Sequence, residues 1–395
     1  MKKDKIWSYI DQNKTIFLFV LVTIISILIR LLLLNFKSGD YTMFLKQWFD
    51  ELKRYGGIFA LKREIGNYTP IYMTILAILT YLPLKSLISI KLLSIIFDYI
   101  GAVAILKISK EILKKHSYKN ELSILFYTIY LFLPTVFLNS SCWAQCDSIY
   151  TAFILLSIYY LIKEEYKKSV ILLSFSFAFK LQAIFILPIF ILIYISERKI
   201  KLSYFLFIPL TMFITSIPKI IFTKDLFVPF KVYIDQIGTY NNYITLNFPN
   251  LYSIFLKNSN SNLINTPFKE LSSIACLITL LIFILLAYFV LLKKVKFTPK
   301  AIIDFSLLSV LIMTFFLPHM HERYLFLGDS LAVIYLLLNK KNYLIPIGIE
   351  LISLYGYMYL LFSGFALPIS YVSIFYLIII IIYTKNIIKE YFITS

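Results

Sequence analysis

The sequence predicts an all-α fold, a polytopic bundle of transmembrane helices, and three observations carry that prediction. Of 395 residues, 60% are hydrophobic and 15% charged, against about 45–50% and about 25% in a typical soluble domain, and the mean hydropathy is +0.81. The apolar residues gather in runs close to the roughly 20 that a helix needs to cross a hydrocarbon core. Lys and Arg number 39 against 21 Asp and Glu, a formal net charge of +18. A soluble enzyme is excluded, and basic loops facing anionic lipid account for the charge without any nucleic-acid partner.

The candidate spans fall at roughly 15–34, 88–106, 121–138, 148–162, 202–222, 271–292, 301–318, 326–338, 343–363 and 366–384. The stretch 169–196 lies between the basic segments Lys163–Lys168 and Glu197–Lys201. It therefore enters and returns as two short helices that turn near Lys180-Leu181-Gln182, which brings the count to about 12 crossings in one domain, 1–395.

Orientation follows from the basic loops. Lys107, Lys110, Lys114, Lys115 and Lys119 share one, Lys293, Lys294, Lys296 and Lys300 another, and Lys340-Lys341 a third, while the chain begins Met1-Lys2-Lys3. All lie inside only if Pro70–Leu84 does not span, so this short segment, closed by Pro83, is expected as an embedded or juxtamembrane helix on the outer side. The outer segments are then 35–86, Asn139–Asp147, 223–270 and His319–Tyr324, and no internal repeat of the transporter kind is visible.

The first outer loop is amphipathic. Tyr41, Phe44, Leu45, Trp48, Phe49, Leu52 and Tyr55 fall on one helical face, and Lys46, Gln47, Asp50, Glu51, Lys53 and Arg54 on the other, the pattern of an interfacial helix on the outer leaflet. Gly56-Gly57 ends it. Asp40, where the first span meets this loop, reads either as the N-cap of the amphipathic helix or as a carboxylate held at the membrane surface near Arg54 and Arg63. The two readings are compatible.

Arg occurs five times, at 30, 54, 63, 198 and 323, in a chain that otherwise uses Lys. Each retained Arg is a candidate for bidentate work such as gripping phosphate. The turn His319-Met320-His321-Glu322-Arg323-Tyr324 holds two of the three histidines. Two His at i, i+2 are a poor metal site; Arg323 and His321 as phosphate donors, with Glu322 accepting from hydroxyls, fit better, and an interfacial ion-pair turn is the bland alternative. Trp143-Ala144-Gln145-Cys146-Asp147 offers an aromatic face, an amide and a carboxylate to a sugar, or simply an interfacial Trp and a capping Asp. Lys180, Gln182 and Asp98 face the bundle interior or a cavity in the functional reading and have a structural partner in the bland one. Arg30 snorkels, His116 is solvated, and Cys142, Cys146 and Cys276 form no disulfide or zinc framework.

Five stretches, Ser38-Gly39-Asp40-Tyr41, Asn67-Tyr68-Thr69-Pro70, Trp143-Ala144-Gln145-Cys146-Asp147-Ser148, Phe179-Lys180-Leu181-Gln182 and Met320-His321-Glu322-Arg323-Tyr324, together resemble the GT-C superfamily of integral-membrane glycosyltransferases. The polyprenyl-phosphate-mannose-dependent mannosyltransferases are among its members. The resemblance implies a site on the extracytoplasmic face of the cell membrane and a polyprenyl-phosphate-linked hexose, mannose in the first place, as donor. It carries the family's catalytic base onto Asp40 and its second outer carboxylate onto Asp147. Position 38 is Ser, so the Asp-x-Asp form of some members is missing. The expected reaction is transfer with inversion to a glycan or lipid-linked acceptor, with Arg323, His321, Lys180 and Arg63 on the leaving phosphate. Asp147, Gln145, Trp143, Glu322, Tyr324 and Gln182 would hold sugar or acceptor. No cofactor is implied and nothing supports a divalent metal. A transporter or flippase of lipid-linked saccharides is the alternative.

Overall fold

The computed structural model describes residues 13–239, 243–255, 269–362 and 367–393. The basic N-terminus Met1-Lys2-Lys3 and part of the segment 223–270, expected on the outer side, lie outside the described residues. The fold is an all-α bundle, as the apolar runs require, because a backbone in hydrocarbon must satisfy its own hydrogen bonds. Its helices are α1 (Lys14–Leu33), α2 (Lys46–Arg54), α3 (Pro70–Leu79), α4 (Ser86–Ile112), α5 (Lys119–Phe132), α6 (Asp147–Ile162), α7 (Tyr166–Phe179), α8 (Leu187–Glu197), α9 (Phe207–Thr223), α10 (Val228–Thr239), α11 (Lys269–Leu292), α12 (Pro299–Phe316), α13 (Phe326–Leu338), α14 (Leu344–Phe362) and α15 (Ile369–Ile387).

By length and composition, seven helices among the described residues can cross a membrane, or eight if Lys119–Phe132 and Pro134–Trp143, bent by 52°, form one span. The expected count of about 12 is not reached. The difference lies in short apolar helices such as α6, α8 and α13, with 16, 11 and 13 residues. At about 1.5 Å per residue these fall short of a core about 30 Å thick. α6 and α13 are also largely buried against other helices. An apolar run reads alike whether protein or lipid covers it.

The hairpin expected over 169–196 is present. α7 stops at Phe179, Lys180 is extended (φ −157°, ψ 136°), and a 3₁₀ turn, Leu181–Ile186, leads into α8. Its two ends meet through Lys199 and Glu164, 3.0 Å apart. Other basic loops gather at that end: the Phe297 amide donates to Glu197 Oε1 at 2.8 Å, Lys107 and Lys163 both approach the Tyr159 ring, and Asn339 reaches Asp304, the partner of Lys300. The segments around Asp40, Gln145, Lys180 and Arg323 meet one another elsewhere in the fold.

The first loop differs from expectation in two respects. Tyr41, Leu45, Phe49 and Leu52 are buried, packed on α3, α4 and the 3₁₀ turn Gly57–Lys62. The apolar stripe is thus covered by protein where lipid was expected, while Phe44 and Tyr55 remain exposed. Asp40 is also not the cap: its backbone is already helical and its side chain caps nothing. Ser38 does that work, its Oγ accepting from the Tyr41 amide at 3.1 Å. Gly56 and Gly57 end α2 at φ +85° and +64°, in the left-handed region that suits glycine. α3, only 10 residues long, is too short to span and packs under this loop.

Arg30 does not snorkel. It is 1% exposed and its Nε donates to Asp98 Oδ2 at 3.0 Å, because a guanidinium that faces the bundle needs a carboxylate, not a route to water. Buried Lys91 donates to the carbonyls of Leu33, Leu34 and Phe36 at 2.9, 3.1 and 2.7 Å. It closes the C-terminal end of α1 and fixes where the chain leaves toward Asp40.

Candidate functional site

Three breaks in helical structure bring the site residues together. The first follows α1, where a wide π-helical turn, Tyr41–Leu45, replaces the regular spiral just after Asp40. Ser38 Oγ donates to the Trp143 carbonyl at 2.6 Å and so ties this break to the second. There a π-helical stretch, Leu138–Trp143, ends at Ala144 with φ +66°. That reversal sends both Trp143 and Gln145 back to Asp40: Trp143 Nε1 donates to Asp40 Oδ2 at 2.9 Å and Gln145 Nε2 to the same oxygen at 2.5 Å. The third break is Lys180, between α7 and α8.

Asp147 begins α6 fully buried. Its Oδ1 pairs with Lys180 Nζ, and its Oδ2 accepts from Asn139 Nδ2 at 3.0 Å and lies 3.3 Å from Arg323 Nε. Arg323 also donates through Nη1 to Glu322 Oε1 at 2.9 Å, and the same Nη1 is 3.9 Å from Asp40 Oδ2. Its guanidinium carbon lies 5.6 Å from the Trp143 ring centroid. One Arg therefore touches three carboxylates. Burial works against a charged Glu322, but the His321 hydrogen bond and the Arg323 charge prevail and hold its carboxyl below the usual range.

The turn that carries Arg323 is itself pinned. Met320–His321 pairs in parallel with Thr245–Leu246. His319, at φ +59°, is held through Nδ1 by the Tyr243 carbonyl at 2.5 Å and through Nε2 by the Ser272 hydroxyl at 3.0 Å. Behind the turn, Gly356 of α14 leaves no room for a side chain, since a Cβ there would lie 2.6 Å from the Glu322 carbonyl oxygen.

Beside this cluster lies a cavity of about 940 Å³, with Lys180, Gln182, His321, Arg323 and Tyr324 among its polar lining and Phe179, Phe185, Leu277 and Leu317 among its apolar lining. Gln182 Oε1 is buried there without a hydrogen-bond partner among the described residues, an acceptor that an occupant's donor would satisfy. Asp40, Trp143, Gln145 and Asp147 do not line the cavity. They stand behind Arg323 and Tyr68, which do. Among the described residues, no three His, Cys, Asp or Glu side chains are gathered as a metal-binding group.

Ten of the eleven residues singled out from the sequence therefore belong to the cluster or to the cavity wall. Arg63 does not: it is exposed, with its guanidinium stacked 3.6 Å from the centroid of Tyr55, a cation–π contact that holds it at the surface of the first loop. Sequence reasoning missed Tyr68, Asn139 and Tyr357. Tyr68 stood inside a quoted motif without a role; its hydroxyl donates to Gln145 Oε1 at 3.0 Å. Asn139 bridges Asp147 and the Tyr357 hydroxyl, and nothing marks Tyr357 among the other aromatics of an apolar helix.

No protein-family model matches the chain, and no curated protein matches it.

Proposed function

We propose that the protein is an integral-membrane glycosyltransferase of the GT-C kind. It moves a hexose, mannose by resemblance, from a polyprenyl-phosphate donor to a glycan or lipid-linked acceptor on the extracytoplasmic face of the cell membrane, with inversion. In this reading the basic loops lie on the cytoplasmic side.

One observation carries the reading: Arg323 lies 3.9 Å from the half-exposed Asp40 carboxylate and also borders the cavity. A base for an acceptor hydroxyl and a cation for a departing phosphate are thereby within one side chain of each other. The apolar lining suits a polyprenyl tail, while Lys180, His321 and Arg323 suit its phosphate. Gln182 Oε1 offers an acceptor to a sugar hydroxyl.

Single displacement follows from those roles. Oδ2 of Asp40 is occupied by Trp143 and Gln145, which leaves Oδ1 to take the acceptor's proton. The acceptor oxygen then attacks the anomeric carbon from the face opposite the phosphate, the C–O bond to phosphate breaks, and the negative charge that leaves with it is met by Arg323, Lys180 and His321. Inversion results from the single attack. A transporter would need its charged groups along a path through the bundle; here the site residues cluster apart from the basic loops.

The test is transfer of labelled hexose from a synthetic polyprenyl-phosphate donor by purified protein. Asp40→Asn should lower the rate by about 10²–10⁴-fold, the usual worth of a general base. Undiminished transfer would sink the reading.

A further inference from the structure

Gln145 sits between the cavity and the base. Its Nε2 donates to Asp40 Oδ2 at 2.5 Å, and its Oε1 accepts from the Tyr68 hydroxyl at 3.0 Å. A carboxamide can occupy such a slot in two orientations. Turned over, Gln145 would set its oxygen against the Asp40 carboxylate, lone pair against lone pair, and the Tyr68 hydroxyl is the donor that selects the productive orientation. Tyr68 is also one of the residues that wall the cavity.

Tyr68 is braced for this. Its ring packs edge-on against Trp48 (centroids 5.3 Å apart, 64°) and Tyr72 (5.0 Å, 62°). Trp48 in turn fills the space over Gly66, where a Cβ would lie 2.8 Å from the indole and φ is +68°. The aromatic positions of α2, the glycine and the Asn67-Tyr68-Thr69-Pro70 stretch thus form one support whose polar end is the Tyr68 hydroxyl. This gives the first loop a task beyond covering the bundle.

We propose that Tyr68 is a positioning residue that acts on Asp40 through Gln145, so that contact of the donor with the Tyr68 ring in the cavity and orientation of the base share one hydrogen-bonded relay. Gln145, expected from the sequence to hold sugar, becomes the middle of that relay. The inference rests on the glycosyltransferase reading, because it needs Asp40 to be the base.

The experiment compares donor KM and kcat, with the synthetic polyprenyl-phosphate hexose, for wild type, Tyr68→Phe, Gln145→Met, the double variant and Asp40→Asn. Tyr68→Phe keeps the ring and its packing and deletes the hydroxyl. Its kcat should fall about tenfold to a hundredfold, as expected for lost hydrogen-bond support at a charged group, with donor KM held within about twofold, the signature of a contact that acts on the chemical step. The double variant should be no slower than Gln145→Met, because the two changes break one chain. If wild type is active and Asp40→Asn is impaired, a Tyr68→Phe protein that keeps the wild-type kcat, or effects of Tyr68→Phe and Gln145→Met that multiply, overturns the relay. A silent wild type or a fully active Asp40→Asn overturns the glycosyltransferase reading instead.

Discussion

Arg323 Nε lies 3.3 Å from Asp147 Oδ2, and the carboxylate is completely buried. The nearest equivalent inside a soluble core would be a structural ion pair. Here the same guanidinium borders a cavity and approaches Asp40, so the pairing sets a rigid fork between the cavity and Asp40. A Lys cannot reproduce it, since an ammonium is a point charge and the fork spans several acceptors. Arg323→Lys should therefore stay folded and lose about a hundredfold in transfer rate, on the scale of removing one preorganised donor. Labelled-hexose transfer measures it, and a rate within a few-fold of wild type would show that charge alone suffices.

Arg30 and Asp98 make a different prediction. Both are buried, with the Ser140 hydroxyl also donating to Asp98 Oδ2 at 2.5 Å, and neither borders the cavity. Removing one partner leaves an unpaired buried charge, which costs about 3–5 kcal/mol. Arg30→Met should thus lower the melting temperature in detergent more than the double variant Arg30→Met/Asp98→Asn, which removes both charges. A double variant less stable than the single would show that the pair holds more than itself.

His319 gives a pH dependence. Burial, with His321 adding to it, holds its pKa below the ordinary 6.5 against the opposing pull of the Tyr243 carbonyl. Neutral His319 satisfies both neighbours, Nδ1–H donating to Tyr243 and Nε2 accepting from Ser272; a second ring proton would turn the bond with Ser272 round and place a charge where burial disfavours it. Since the folded pKa is the lower one, the unfolded chain takes up the proton first. The contribution to stability is intact above about pH 6.5 and is lost as the pH falls below it. Thermal unfolding between pH 7.5 and 5 should show this slope, and His319→Gln should flatten it; an unchanged slope would place the dependence elsewhere.

Cys276 reports on the cavity. It lines the wall and is exposed, whereas Cys142 and Cys146 are buried. A maleimide should label Cys276 first, and polyprenyl phosphate at ten times its Kd should slow that labelling by about tenfold. Labelling at the same rate with and without the lipid would mean that the lipid binds elsewhere.

What the amino-acid order determined by itself was the class of fold, the ends of most apolar helices, the break at Lys180 and the grouping of basic loops, because each depends on local composition or on hydrophobic period. Asp40, Asp147 and Arg323 stood out for a related reason: charged groups are rare in so apolar a chain and sit at the ends of its runs. Tertiary structure alone decided the rest. Whether α6 and α13 face lipid or protein, whether the stripe on α2 rests on a membrane or on α3, and whether Arg30 seeks water or Asp98 all depend on what packs alongside, which periodicity does not contain. The tertiary fold also chose Ser38 over Asp40 as the cap, held Arg63 on Tyr55, and drew Tyr68, Gln145 and Asp40 into one line. Those contacts join residues 40, 68 and 145, which only close packing brings within hydrogen-bond reach.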